Sequence, residues 1–409
     1  MRYFKNSELV RMHGVSDKTV RNWIASASEG KLDLKLYVSP QGKKYIADSI
    51  ANNQQLRKLV EDGRKFRNNR NYRSVTPSSD LQRMLSTSQI VQLVNTLEKE
   101  HELSWNYSYF GDSASYWDTY LKELVSSGKG NLVTNTIDTL AASYDYIDSL
   151  IQGYKHVNVV NVCIGNNLAV KDVVRHIYSQ GKLNRCIAID ISPDVLEIAD
   201  SNVNKWYDGH IKLEKYQRDI RYNWFGDILV DDPAGRRSDE IINLVFFVAG
   251  PITNFKWPEQ TLHTVCDSMS VDDLLFVTKK RDTEETSNFF DFNIKSDTSL
   301  SGYGRDGLAH LVGLETGMYE VEQLYDPTTK TRSAQLRLKY NIDIEFESGS
   351  FKRTVHLRQG DALRLWKSSQ YTDSDFLNVM RSGGFDVLHM AQSKDQQLIS
   401  TISRVRKTY

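Results

Sequence analysis

The sequence has few cysteines and no long hydrophobic run, and both absences restrict where the protein can work. Only 3 cysteines occur in 409 residues, and none has a neighbour at metal-ligand or disulfide-framework spacing. We therefore expect a reducing compartment in which Cys163, Cys186 and Cys266 pack as small apolar side chains. No apolar stretch approaches the roughly 20 residues of a membrane span, and the amino terminus has no apolar signal segment. These absences predict a cytoplasmic protein with no membrane contact and no metal site.

Net charge is also absent, but the charges are unevenly distributed. The chain has 52 Lys and Arg against 52 Asp and Glu. Residues 1–75 contain 16 of the basic and 7 of the acidic residues, a balance of +9, which leaves −9 on residues 76–409. With 40% hydrophobic residues the chain can bury a sizeable core. We predict two domains, a basic module at 1–75 and an acidic body at 76–409, with different partners.

The basic module has the pattern of two short helices followed by a hairpin. Gly14 lies at the turn between the helices, and Ser16 is placed to cap the second one. A strand-like stretch with a turn at Pro40 and Gly42 follows. One run resembles the winged helix-turn-helix modules of the MerR and excisionase regulators: Gly14, Val15, Ser16, Thr19, Val20, Arg21 and Trp23.

This resemblance implies that the module binds duplex DNA, with the second helix in the major groove and the hairpin on phosphates. The implied DNA-binding residues are Lys18, Thr19, Arg21 and Asn22 on the helix and Lys43 and Lys44 on the hairpin. Regulators of this type usually pair, so a homodimer is a further expectation. A module kept for protein contacts is the alternative, although the positive charge favours DNA. Residues 51–73 fit a solvated linker or a DNA-contacting arm equally well.

The most informative part of the body is a strand–helix–strand pattern between Val157 and Ser192. A β-branched run at 157–164 leads into Gly165, and a second strand at 186–191 carries Asp190 near its end. Parallel strands place their ligands at their carboxyl ends. Gly165 permits close approach of a ligand, and Asp190 is placed to accept hydrogen bonds from a ribose diol. Only one glycine of the dinucleotide fingerprint is present, which favours S-adenosylmethionine, a ligand with a ribose and no pyrophosphate.

The rest of the body predicts a mixed α/β fold. Residues 80–150 have helical spacing, and three further strands are expected, one ending at Asp219 and the others at 240–250 and 272–280. Two later runs, 335–347 and 353–365, alternate polar and apolar residues and are expected to form an antiparallel pair at the end of this sheet. The predicted fold class is a Rossmann-like class I methyltransferase sheet with added helices, preceded by a small winged helix-turn-helix domain.

Several motifs of the body resemble the histidine Nα-methyltransferase family of ergothioneine biosynthesis. The matching segments, in chain order, are 109–124, the loop at Gly165, 187–199, 218–220, 248–255 and 366–371. Each motif is weak alone, and their order and spacing carry the resemblance. It implies an S-adenosylmethionine-dependent N-methyltransferase whose substrate is a small amine or amino acid.

The resemblance also implies two sets of site residues. The cofactor set is Gly165, Asp190, Ser192, Asp219 and Ile220, with Asp190 on the ribose and the last two on the adenine. The substrate set is Tyr109, Asn254, Trp366 and Ser368, of which Tyr109 and Asn254 are the candidates for catalytic roles. Simpler roles are open for three of these residues: Asp190 could bond only Ser192, Asp219 could cap a turn, and Asn254 could form an Asx-turn.

Departures from the family pattern argue against histidine as the substrate. The family's glutamate that grips imidazole is replaced by Trp366, whose indole N–H is only a donor. Loss of that acceptor should weaken histidine binding by about 1.5–3 kcal/mol. The cofactor loop has Asn161 in place of an acid and Cys163 in place of a glycine, and Phe290 or Phe292 replaces a tyrosine. A drier, more aromatic site suits an apolar, aromatic or cationic side group.

Two functions of different classes remain open. Methyl transfer to an amine needs mainly alignment and desolvation, and an α-amino group with a pKa of about 7.7–8.0 is already partly neutral. The first hypothesis is an active methyltransferase that a DNA-binding module regulates or localises. The alternative is a DNA-binding transcriptional regulator whose methyltransferase-like body is a ligand sensor or a pseudoenzyme.

Overall fold

The computed structural model describes residues 3–68, 72–127, 131–230, 238–281 and 303–406. The chain forms two compact units, one of Met1–Ser74 with Tyr340–Ile342 and one of Val75–Lys339 with Asp343–Tyr409. Each unit has a hydrophobic core of its own. Within the described ranges, no helix is long and apolar enough to cross a membrane.

The amino-terminal segment consists of short elements around a small core. They are β1 (Tyr3–Phe4), α1 (Asn6–His13), α2 (Asp17–Ser28), β2 (Leu36–Val38), β3 (Lys44–Ala47), α3 (Ile50–Asn68) and β4 (Tyr72–Val75). Helix α1 ends at Gly14 in the left-handed conformation, with φ 61°, and the Ser16 hydroxyl caps α2 by accepting from the Thr19 N–H at 3.1 Å. Strand β3 pairs with β1 and β2, and Leu9, Val20 and Ile46 are fully buried between helices and sheet.

A helical segment follows, as the apolar spacing of residues 80–150 predicts. Its helices are α4 (Ser79–Met84), α5 (Thr87–Glu100), α6 (Asp112–Ser126), α7 (Leu132–Ala141) and α8 (Tyr144–Ile151). In α5 the side chains of Ile90, Leu93, Val94 and Leu97 form one buried face.

The remaining elements alternate strands and helices and then turn mainly to strands. The first group is β5 (His156–Val162), α9 (Lys171–Ser179), β6 (Leu183–Asp190), α10 (Pro193–Trp206), β7 (Leu213–Gln217), β8 (Ile241–Phe247), α11 (Pro258–Ser268) and β9 (Leu274–Lys280). The second group is α12 (Tyr303–Leu311), β10 (Tyr319–Asp326), β11 (Thr331–Leu338), β12 (Asn341–Ser348), β13 (Phe351–Leu357), β14 (Ala362–Ser369), α13 (Asp373–Ser382), β15 (Phe385–Gln392) and β16 (Leu398–Val405).

A seven-stranded sheet forms the centre of the second unit, in the order β15-β16-β9-β8-β5-β6-β7. Strands β5 to β9 are parallel, with Val159 of β5 opposite Cys186 on one side and Leu244 on the other. Nearly every residue of β5 and β8 is buried, because helices cover both faces of a parallel sheet. The Rossmann-like α/β class predicted for the body is confirmed.

The expected antiparallel end pair is wrong in its location. Residues 335–347 and 353–365 fall within β11 to β14, which belong to two separate three-stranded sheets. The strands that complete the central sheet are β15 and β16, and β16 lies antiparallel between β15 and β9. Alternation of polar and apolar residues indicates a sheet with one buried face, but it does not indicate which sheet the strand joins.

Candidate functional site

A cavity of about 570 Å³ opens at the carboxyl ends of β5, β6 and β8. It is lined by eight of the residues predicted from the sequence: Tyr109, Gly165, Asp190, Asp219, Ile220, Asn254, Trp366 and Ser368. The carboxyl ends of the strands of a parallel sheet lie at one edge, and β10, β11 and β14 supply further lining residues. The two sets of predicted residues therefore meet in one space.

The loop after β5 has a left-handed backbone at alternate positions. The φ angles are 53° at Cys163, 55° at Gly165 and 65° at Asn167. A Cβ atom added at Gly165 would meet nothing within 4 Å, so the backbone there is open to a ligand. Cys163 keeps the conformation that a glycine would adopt without strain, which costs an L-residue about 1–2 kcal/mol. The loop therefore has a left-handed backbone at Cys163 without a glycine there.

Asp190 ends β6 with its carboxyl group facing the cavity and is only 9% exposed. Its Oδ1 accepts the Ser192 backbone N–H at 2.9 Å. Burial raises the pKa of the Asp190 carboxyl to about 6, although backbone N–H groups, including that of Gly165, oppose the shift. An ionised carboxylate that is poorly solvated favours a ligand with hydroxyl donors. Asp190 therefore has the simpler role of bonding Ser192, and this contact does not exclude hydrogen bonds to a ribose.

Ser192 is the predicted site residue that does not line the cavity. It is completely buried, and its hydroxyl donates to the Tyr109 carbonyl at 2.6 Å and accepts the Val195 N–H at 3.2 Å. It therefore caps α10. The hydroxyl ties the Tyr109 segment to the end of β6, which is a positioning role. Direct contact of Ser192 with the cofactor stays a prediction.

Asp219 and Ile220 follow β7, and an arginine holds the acid in place. The Arg221 guanidinium donates to both carboxylate oxygens of Asp219, at 2.9 and 2.7 Å, and the Arg221 backbone N–H donates to Oδ1 at 3.1 Å. Ile220 is 3% exposed. The sequence analysis missed Arg221, although its position two residues after the acid in a turn was the available indication.

Aromatic rings form one wall of the cavity. Trp105 contacts Tyr109 and Phe255 edge-on at centroid distances of 5.4 and 6.2 Å, and Tyr109 contacts Trp117 at 5.4 Å. Burial raises the pKa of the Tyr109 hydroxyl, and the nearby Asp190 adds to the shift, so the phenol stays protonated. Asn254 ends a 3-10 turn immediately before Phe255, which brings the two predicted catalytic residues to the same wall.

A further part of the lining comes from the β10-β11-β14 sheet. Trp366 and Ser368 of β14 lie across from Ala334 and Arg332 of β11. The Ser368 hydroxyl donates to Thr253 Oγ1 at 3.1 Å. Arg332 is 4% exposed and lines the cavity, yet the sequence analysis missed it. Alternation along β11, in which Arg332, Ala334 and Leu336 share the buried face, was the available indication.

Two predicted features lie elsewhere. Phe290 and Phe292 fall outside the described residues. Within the described ranges, no group of His, Cys, Asp and Glu side chains is arranged to hold a metal ion.

The predicted DNA-binding residues lie on α2 and the β2–β3 hairpin of the first unit. Lys18, Arg21, Asn22, Lys43 and Lys44 are exposed, and Thr19 is half-buried. The Thr19 hydroxyl shares a hydrogen bond with Ser16 at 2.8 Å, and Arg21 pairs with Asp17 at 2.5 Å. These contacts reduce the donors that Thr19 and Arg21 offer to a partner.

The sequence was also compared with known families and structures. The family described as histidine-specific, S-adenosylmethionine-dependent methyltransferases matches residues 136–405, about two thirds of the chain. The chain belongs to this family. It is therefore an S-adenosylmethionine-dependent methyltransferase, as predicted. The match includes Gly165, Asp190, Asn254 and Ser368, begins after Tyr109, and does not extend to residues 1–75.

Similar solved structures are distant. An S-adenosylmethionine-dependent methyltransferase from Clostridium acetobutylicum has 10% identity and a TM-score of 0.37, covering 71% of this chain and 98% of its own. Magnesium protoporphyrin IX methyltransferase from Synechocystis has 9% identity and a TM-score of 0.34, covering 78% and 100%. An amino pentose methyltransferase from Micromonospora echinaspora has 9% identity and a TM-score of 0.34, covering 70% and 97%. A search of curated proteins finds no significant match.

Proposed function

We propose that the second unit methylates the nitrogen of a small amine or amino acid other than histidine, and that residues 1–75 bind duplex DNA. The observation that carries the first part is the single cavity that Gly165, Asp190, Tyr109 and Asn254 line together. In this proposal one end of the cavity would hold the cofactor and the other the substrate.

The cavity residues fit S-adenosylmethionine, which supplies an electrophilic methyl group on a sulfonium. Asp190 would accept hydrogen bonds from the ribose hydroxyls, and the open backbone at Gly165 would allow close approach. Buried Ile220 would pack on the adenine, beside Asp219. The Trp117 indole N–H lies buried at the cavity wall and meets no acceptor among the described residues. Such orphaned donors are typical of ligand sites.

The substrate end offers alignment and exclusion of water. Asn254 would hold the substrate's amine or carboxylate, and the Tyr109 hydroxyl would donate a hydrogen bond because it stays protonated. The aromatic wall keeps water from the attacking nitrogen. No strong base is required, because the amine attacks in its neutral form and its proton can pass to solvent afterwards.

Trp366 supports the exclusion of histidine, because it offers no acceptor to an imidazole N–H. Among the described lining residues of β10, β11 and β14, none is an acid. This part of the lining therefore offers no carboxylate to an imidazole.

The test of the enzyme is direct. S-adenosylhomocysteine should bind the full chain in calorimetry, and S-adenosylmethionine with a pool of amino acids and amines should give a product heavier by one or more methyl groups in mass spectrometry. Binding without any methyl transfer would favour the sensor or pseudoenzyme.

The second function rests on the charge and surface of residues 1–75. Their balance of +9 and the exposed Lys18, Asn22, Lys43 and Lys44 suit phosphate contacts by a helix and a hairpin. In this proposal the module is a winged helix-turn-helix that pairs into a dimer on DNA and regulates or localises the enzyme.

The three thiols are free, which supports a reducing, cytoplasmic location.

A further inference from the structure

Asn106 is a buried polar residue at the cavity wall that no motif indicated. It lies in the 3-10 turn Trp105–Tyr109 and is 6% exposed. Its Oδ1 accepts a hydrogen bond from Arg221 Nη1 at 3.3 Å. Its Nδ2 is buried and makes no hydrogen bond to any atom of the described chain. Asn106 thus has a satisfied acceptor and an unsatisfied donor.

The orientation of this amide follows from its neighbour. Arg221 is fixed by its two contacts with Asp219, and a guanidinium can only donate. The amide must therefore present its oxygen to Arg221, which leaves the two N–H donors for other groups. Burial raises the pKa of the Tyr107 hydroxyl to about 12, and the neighbouring Asn106 side chain opposes that rise. That hydroxyl, which itself donates to Gln92 Oε1 at 3.2 Å, can engage at most one of the two N–H groups.

We infer that Asn106 donates a hydrogen bond to a ring nitrogen of the adenine of the methyl donor. The inference rests on the proposed function, in which Asp219 and Ile220 adjoin the adenine. Asp219 is connected to Asn106 through Arg221, so the unsatisfied donor lies at the adenine end of the cavity. Adenine offers three unsubstituted ring nitrogens, N1, N3 and N7, all acceptors. The affinity for the methyl donor would therefore depend on the one ring nitrogen that accepts the hydrogen bond from Asn106.

The experiment compares S-adenosylhomocysteine with its 1-deaza, 3-deaza and 7-deaza analogues, each of which replaces one acceptor by a C–H. Calorimetry on the full chain should show one analogue binding on the order of ten-fold more weakly than the parent compound. In Asn106→Ala this difference should fall to within about two-fold, because the partner of that acceptor is gone. The analogue that loses affinity identifies the nitrogen.

Two further variants complete the design. Asn106→Asp keeps the side-chain shape but removes both N–H donors, so it too should lose the discrimination; it serves if Asn106→Ala fails to fold. Asn204→Ala, at an exposed position of α10 that does not line the cavity, should keep it. Discrimination that persists in both Asn106 variants, or is absent from the unmodified protein, would overturn the inference. Failure of S-adenosylhomocysteine itself to bind would instead overturn the proposed function.

Discussion

Asp190 is the residue whose ionisation should control cofactor affinity. Asp190→Ala removes a charge-assisted acceptor, so the affinity for S-adenosylhomocysteine should fall by about one to two powers of ten. In the unmodified protein the hydroxyl donors favour the ionised carboxylate, whose pKa in the free protein is about 6. Affinity should therefore decline as pH falls from 7 to 5, and binding near pH 6 should release protons.

Calorimetry in buffers of different ionisation enthalpy measures both effects. The Asp190→Asn variant has no carboxyl group at this position. Its affinity for S-adenosylhomocysteine should be weaker and should not change between pH 5 and 7. Equal affinity of the unmodified protein at pH 5 and 7 would contradict the role of Asp190, provided that melting curves show a folded protein at both values.

Cys163 adopts a backbone conformation that suits glycine, with φ 53°. Cys163→Gly relieves that strain but loses thiol packing, so the free energy of unfolding should change by less than about 1 kcal/mol. Cys163→Val places a β-branched residue at positive φ and should destabilise by about 1–3 kcal/mol. Urea unfolding measures both changes. Cys186→Val, in the extended strand β6, is the matched control and should cost less than Cys163→Val.

Trp366 is expected to make histidine a poor substrate. Trp366→Glu restores an acceptor for imidazole, so histidine methylation should rise above that of the unmodified protein when both are assayed at saturating S-adenosylmethionine. The smaller side chain leaves a space that lowers stability, and melting must be checked before activity is compared. Efficient methylation of histidine by the unmodified protein would show that another residue grips the imidazole.

Site residues at the strand ends of the central sheet could be predicted from the sequence. Those that reach the cavity from other parts of the fold could not. Asp190 and Gly165 follow buried parallel strands, and such positions meet at one edge of a sheet. Asn106 and Arg332 reach the cavity from a 3-10 turn and from a separate sheet. No spacing rule connects those segments to the central sheet. Alternation along β11 indicated that Arg332 is buried, but nothing in the sequence indicated that either residue lies at the cavity.

At the scale of single elements, substitutions in helix α2 test DNA binding. Lys18→Ala should weaken binding of the full chain to duplex DNA and reduce the slope of log affinity against log salt by about one unit. Arg21→Ala should have a smaller effect, because its guanidinium already pairs with Asp17. Fluorescence anisotropy at several salt concentrations measures both. Affinity that does not depend on salt would favour a protein-contact role for the module.

The elements also show where sequence patterns stop being sufficient. The five parallel strands were predictable because long β-branched runs alternate with helices. The antiparallel strands were misplaced: residues 335–347 and 353–365 alternate as expected but belong to small sheets. Strand β16, which completes the central sheet, is buried through its first six residues, even though two serines and a threonine interrupt its apolar pattern.

At the scale of the molecule, the separate cores of the two units predict separate responses to ligand. S-adenosylhomocysteine at 100 times its dissociation constant should stabilise the second unit by about 2.7 kcal/mol. In differential scanning calorimetry the larger transition should move up by a few degrees, while the smaller one, from residues 1–74, should not. Duplex DNA should do the opposite. An equal shift of both transitions by either ligand would contradict the division of functions.

The position of β16 also bears on how the chain folds during its synthesis. The buried cluster that the structure describes in the first unit lies between Phe4 and Val60, so this cluster can form early on the ribosome. The central sheet cannot be completed until Val405 has been made, because β16 must insert between β9 and β15. Until then β9 presents an unpaired edge, which favours association with other chains. The nascent enzyme is therefore most exposed to aggregation, and to chaperone capture, while the 125 residues from Arg281 to Val405 are being translated.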